Sequence, residues 1–367
     1  MFHLTTVPAR YGRHLLVGLL SPAVHVPVSL TTRRTLKNKA KLRPNPRIKQ
    51  AMTPDMLPTE VSAAPRSLSE FQIRIKDLDM KHVTAQEAHD MYTKYMKAVA
   101  AKQRPAGWQE KFAIDTNASA AKLHETATLV LTLQSLRGSE FEFSCTMLRA
   151  AAGLGDDAAA LSLGRILQRP RTRQDYFHWD QPWWRQARYR CMALIKEGRD
   201  ANALVLKGLI HLKRNNPLDD SLALEAFVQA ETVGKRADRF DWEPTCLEGQ
   251  GNAHQRLNQK KQAEEAFRRL ADLDCARGFY RLARLFPRSE STLDWLTKAA
   301  ASGLSETYQL LVDEHERLRS ICMNQGREKE ARRHERDAAE WTLVMRAQAT
   351  RDKELNTATE STRSQLL

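Results

Sequence analysis

Cysteine is scarce in this chain of 367 residues: five are present, an odd number, spread tens of residues apart. Cys145, Cys191, Cys246, Cys275 and Cys322 form no CxxC or CxxH spacing. That spacing makes a cysteine-based zinc site and a disulfide framework poor readings. They read as small apolar residues buried in a reducing compartment. Proline is scarce too, 14 residues, and becomes rare after residue 68. Sustained polar–apolar alternation is missing, so the body is not built from strands. Long hydrophobic runs are missing as well. The run over residues 15–30 is broken by Pro22 and Pro27, and a membrane span needs roughly twenty apolar residues. The mature chain is expected to be soluble or peripheral to a membrane.

Signatures of chemistry are also lacking. HExxH and GxSxG do not occur. GLGDDA at 153–158 fits a dinucleotide fingerprint in letters only. It follows a helical pattern, and Asp156 and Asp157 would face a pyrophosphate. Those acids suit the first turn of a helix instead. VGKR at 233–236 lacks the rest of a phosphate-binding loop. His82 and His89 have no nearby cysteine or third histidine to complete a metal set, and DEHER at 313–317 reads as a charged helix face. No catalytic residue, cofactor or metal ligand is assigned, and the chain is not expected to be an enzyme.

Acidic residues are absent from positions 1–54, which carry ten Lys and Arg. Removing those ten from the net charge of +14 leaves +4 on the remainder. The basic bias therefore belongs to the N-terminal segment. Arg10, Arg13 and His14 share one helical face, and Tyr11, Leu15, Leu16 and Leu19 lie largely on the other. An acid-free, Arg-bearing amphipathic start is the pattern of a mitochondrial transit peptide. A basic tail is one alternative. A secretory signal built on LLVGLLSPAV is another, and the basic stretch TTRRTLKNKAKLRPNPRIK that follows argues against it. Residues 1–34 are assigned to the transit peptide and 35–68 to a disordered basic linker.

After residue 68, apolar residues recur at three and four, which predicts an all-helical body. Residues 84–102 form one helix, with a Thr84/Glu87 capping box and an apolar stripe of Met91, Tyr95, Ala98 and Val99. Further on, small residues recur around glycines. Gly155, Gly198, Gly234 and Gly303 are separated by 43, 36 and 69 residues. The reading is a set of helix hairpins, each with a glycine ending one helix in the left-handed conformation. A lone hairpin cannot bury its apolar face, so hairpins stack. Residues 247–273, with Leu247, Gly251, His254, Ala263, Phe267 and Leu270, resemble a tetratricopeptide repeat. His254 stands where an aromatic is usual and Asn258 where glycine is usual. Residues 276–303 look closer to the Sel1-like variant. Gly326, Ala331 and Ala338, with Trp341 capping the apolar side, add a closing pair. The resemblance implies an all-α, right-handed solenoid of antiparallel tetratricopeptide/Sel1-like hairpins. Residues 69–124 then cap the array, 125–346 form the repeats and 347–367 a polar tail.

The interval from Gly155 to Gly198 exceeds the usual period by about seven residues. The excess falls at 169–184, inside RPRTRQDYFHWDQPWWRQARYR. Three of the chain's seven tryptophans are here, among arginines. Three readings compete. Trp183 or Trp184 fills the seam between hairpins, with arginine stems covering it. Or Tyr176, Trp179 and Trp183, with Arg171, Arg173, Arg185 and Arg188, form a contact surface for a protein or a membrane interface. Or the arginines meet phosphates while aromatics stack on bases of single-stranded RNA. The seven residues of the second reading are the candidate partner-binding set.

The resulting expectation is a mitochondrial adaptor, in the matrix or on the matrix side of the inner membrane. Proteins of the resembled class often assist assembly of respiratory complexes, including cytochrome oxidase. The alternatives are a mitochondrial RNA-binding or ribosome-associated expression factor, and a cytosolic or nuclear scaffold.

Overall fold

A computed structural model describes residues 66–100, 108–133, 136, 138–168, 179, 181–236 and 240–364, without the side chains of 109–110 and 351–364. Residues 1–34, and 35–65 of the expected linker, lie outside the described residues. So do Arg171, Arg173 and Tyr176.

Among the described residues there are fifteen α-helices and no strands. They run α1 (Leu68–Ile75), α2 (Ala85–Ala100), α3 (Trp108–Asp115), α4 (Ala120–Leu131) and α5 (Gly138–Gly153). Then follow α6 (Asp157–Gln168), α7 (Arg185–Glu197), α8 (Ala201–Lys213), α9 (Pro217–Arg236) and α10 (Glu243–Arg256). The last are α11 (Lys260–Asp272), α12 (Ala276–Leu285), α13 (Thr292–Ala301), α14 (Tyr308–Asn324) and α15 (Glu328–Ser364). From α4 onward each helix packs on the next in the chain.

Helix starts follow the short polar residues. The Thr84 N–H donates to Glu87 Oε2 at 2.9 Å while the Glu87 N–H donates to Thr84 Oγ1 at 3.2 Å, a closed capping box at α2. Asp156 Oδ1 accepts from the Ala159 N–H at 2.7 Å, and Asp200 Oδ1 from the Ala203 N–H at 2.7 Å. The acids of GLGDDA thus open α6.

Helix ends depart from the expectation in two respects. Gly155, Gly198, Gly303 and Gly326 have positive φ, but so do Asn117, Asn215, Asn258 and Asp274. Short polar side chains tolerate the left-handed region by bonding locally. Gly234, expected to end a helix, lies instead inside α9. A Cβ there would stand 2.7 Å from the Phe240 ring, so its smallness admits that ring.

The first eight helices share one large core. Phe71, Tyr92, Tyr95, Phe143 and Trp184 are among its fully buried side chains. Tyr95 makes edge contacts with Phe112 and Phe143 at ring separations of 5.3 and 4.9 Å. The core closes over a charge as well. Glu140 is fully buried on α5, and Arg66 donates to its two oxygens at 2.7 and 3.0 Å. The Tyr92 hydroxyl adds a bond to Glu140 Oε1 at 3.1 Å. Arg66, at the end of the expected linker, is thereby tied to the folded body. From α9 on, the buried apolar residues fall into three smaller clusters.

Candidate functional site

The segment rich in tryptophan and arginine divides between core and surface. Pro182 opens a short 3-10 turn, Pro182–Trp184, that leads into α7. Trp184 is 1% exposed and faces inward with Ala187 and Cys191. The Arg149 guanidinium lies over its ring, 5.7 Å from the centroid. Trp179 is half-buried against the same core. Its ring crosses α6 at Gly164, where a Cβ would stand 3.2 Å from Trp179 Cζ3. Arg185 is exposed, Arg188 half-buried. Arg190 donates to Asp157 Oδ1 at 2.5 Å and to the Gly155 carbonyl at 2.8 Å, holding α7 to the start of α6.

Trp183 goes elsewhere. It forms one wall of a cleft of about 460 Å³ between α3, α5 and the start of α7. Its lining also includes Ala113 and Ile114 of α3, with Asn117 and Ala118 of the following turn. Thr146, Arg149, Ala150 and Gly153 of α5, then Leu154, complete the apolar and polar lining. Ile114 is 75% exposed and Leu154 64% exposed. The amides of Asn117 and Gln186 supply polar groups among these apolar walls. The cleft needs three elements far apart in sequence: α5 is buried through most of its middle, from Glu140 to Leu148, and packs with both α3 and α7.

Of the seven residues predicted for partner binding, Trp183 thus lines a cavity, Trp179 packs inward, and Arg185 and Arg188 lie on α7. Sequence reasoning missed Ile114, Leu154 and Arg149. Leu154 had a readable signal, a large apolar residue between Gly153 and Gly155 at a helix end. Ile114 had none, because its exposure depends on how α3 docks.

A second polar cluster joins α14 to α15. His315 is 5% exposed, and its Nδ1 lies 3.1 Å from Nδ1 of His334. Asp337 Oδ2 is 3.9 Å from the same His315 nitrogen. Among the described residues, these three side chains could hold a metal ion, with all ligand atoms within 4.8 Å of one another. From sequence, DEHER at 313–317 reads as a charged helix face, whereas Glu314 and His315 are buried; the pairing with His334, nineteen residues on, has no local signal.

The thiols of Cys191, Cys246 and Cys275 are poor nucleophiles. Burial pushes Cys191 up to about 12, and it raises Cys246 and Cys275 as well. No described helix is long and apolar enough to cross a membrane. Compared with known protein families and with curated proteins, the chain matches none.

Proposed function

We propose that the chain is a non-enzymatic adaptor that holds an apolar segment of a protein partner in the cleft beside Trp183. The observation that carries this reading is the pairing of concavity with exposed aliphatic surface. Ile114 and Leu154 line the cleft yet stay in water, where a partner side chain would cover them at a gain of about 25 cal/mol per Å² of apolar area. Helix-in-groove docking fits such a surface: apolar side chains at helical spacing fill the cleft, and Asn117 and Gln186 meet polar groups at the edge.

The finer description is a right-handed solenoid of tetratricopeptide/Sel1-like hairpins, supported by consecutive packing and by turns at repeat-like spacing. The acid-free N-terminal pattern supports a mitochondrial address on the matrix side. A part in respiratory-complex assembly rests on the class resemblance.

The test is affinity purification of the tagged full chain from isolated mitochondria, against an Ile114→Asp/Leu154→Asp variant. Both side chains are exposed, so the variant should keep its circular dichroism spectrum. A protein recovered with the wild type, lost with the variant and indifferent to nuclease is the expected result. Equal recovery with both overturns the cleft reading, and nuclease-sensitive recovery favours the RNA alternative. A chain lacking residues 1–54 should be missing from the mitochondria, which checks the address.

A further inference from the structure

The face that α15 turns toward α14 is unusual. Ala331 is 1% exposed and Ala338 7%. They flank His334, one turn from each, on the same stripe. Their small size lets the helices approach, and the imidazole between them meets His315 directly. Asp337 follows His334 at the i, i+3 spacing, which brings a carboxylate and an imidazole to one helix face. Three groups of the kinds that ligate metals thus converge from two helices.

We propose that His315, His334 and Asp337 form a binding site for a divalent transition metal ion of zinc type, clamping α15 to α14. Two imidazoles and a carboxylate suit such an ion better than magnesium or calcium, which prefer oxygen ligands. Tetrahedral ligands at 2.0–2.1 Å from zinc stand about 3.3 Å apart. The two Nδ1 atoms, at 3.1 Å, are within a few tenths of that spacing. Asp337 Oδ2, at 3.9 Å, needs a small side-chain rotation, and its side chain is 35% exposed. Without an ion, one Nδ1 must carry a proton to donate to the other; with one, both lone pairs point at the cation. Nearby Arg317 is engaged bidentately by Glu314, at 2.6 and 2.8 Å. Three protein ligands leave a position for water.

The clamp has a structural use. Among the described side chains of α15 only Ala331 and Ala338 are buried, with Trp341 stacked on Tyr308 at 5.8 Å, and an ion at the histidines would add a polar tie to this narrow apolar seam. Binding of an ion to the folded hairpin stabilises it by mass action.

Zinc titration of the chelator-stripped full chain tests this, with bound metal and thermal unfolding as readouts. One zinc per chain and a raised unfolding temperature are expected. His334→Gln should abolish both effects. Asp337→Asn, at a partly exposed position, should keep the fold and weaken zinc by more than the roughly 10–100-fold cost of losing an outer-shell partner. Absence of zinc uptake at micromolar metal, or equal uptake by folded His334→Gln, would overturn the site in favour of a plain histidine pair. Neither result touches the cleft, which lies on other helices.

Discussion

Helices α1–α8 and α9–α15 solve the same burial problem differently. The first group closes one aromatic-rich core over contacts distant in sequence: α1 packs on α4, α2 and α3 on α5. The second is a file of hairpins, each burying a few alanines, one or two larger residues and the neighbour's face. The two meet at α8, whose Leu204, Val205 and Leu212 share a buried cluster with Phe227 of α9, and where Arg165 of α6 donates to Thr245 Oγ1 at 3.0 Å and lies 5.0 Å over the Trp242 ring. Energy in the first group is pooled, so a local defect is shared. In the second it is a sum of neighbour terms, so a defect stays local.

The largest test of this contrast is Trp184→Ala. Removing a fully buried tryptophan should cost about 3–5 kcal/mol. By native-state hydrogen exchange, protection should fall together across α1–α8 while α11–α15 retain theirs. A uniform loss along the chain would mean that the two groups unfold as one unit.

Legibility in the sequence followed the same division. The file of hairpins could be read because its signals are local: Ala263, Phe267 and Leu270 sit at helical spacing, and all are fully buried. The α2 cap and the acids opening α6 were local too. The cleft was not legible, since Ile114 and Trp183 become neighbours only when α3 and α7 dock on α5. Trp184 and Trp183 are adjacent in sequence, yet one is core and the other a cavity wall. That difference is set by the 3-10 turn, and composition carries no trace of it. The histidine pair escaped for the same reason, being made by the register of α14 against α15.

A smaller effect is expected from Gly251→Ala, the counterpart in the second group. A Cβ on Gly251 would lie 2.2 Å from Phe267 Cε1, across the α10–α11 hairpin. The ring or the helix must move, at about 1–3 kcal/mol. Exchange should quicken in α10–α12 and leave α4–α6 unchanged. Faster exchange in α4–α6 would show that strain crosses the Trp242 junction, and the neighbour-sum description would then fail.

The smallest effect concerns the turns that let the file form. Asn258 joins α10 to α11 with φ of 60°, at the position where the tetratricopeptide pattern that residues 247–273 resemble usually has glycine. Its N–H donates to the Gln255 carbonyl at 3.2 Å, and the following Gln259 N–H to the His254 carbonyl at 2.8 Å. These bonds terminate α10 and are kept only if residue 258 stays left-handed. Alanine there meets its own Cβ penalty, so Asn258→Ala should lose about 1 kcal/mol. Glycine has no such penalty in this region, and Asn258→Gly should be neutral or slightly stabilising in urea denaturation. If both substitutions cost the same, the asparagine acts through its side chain. The turn would then be held by specific bonding, and the hairpin pattern would tolerate less variation than backbone conformation alone implies.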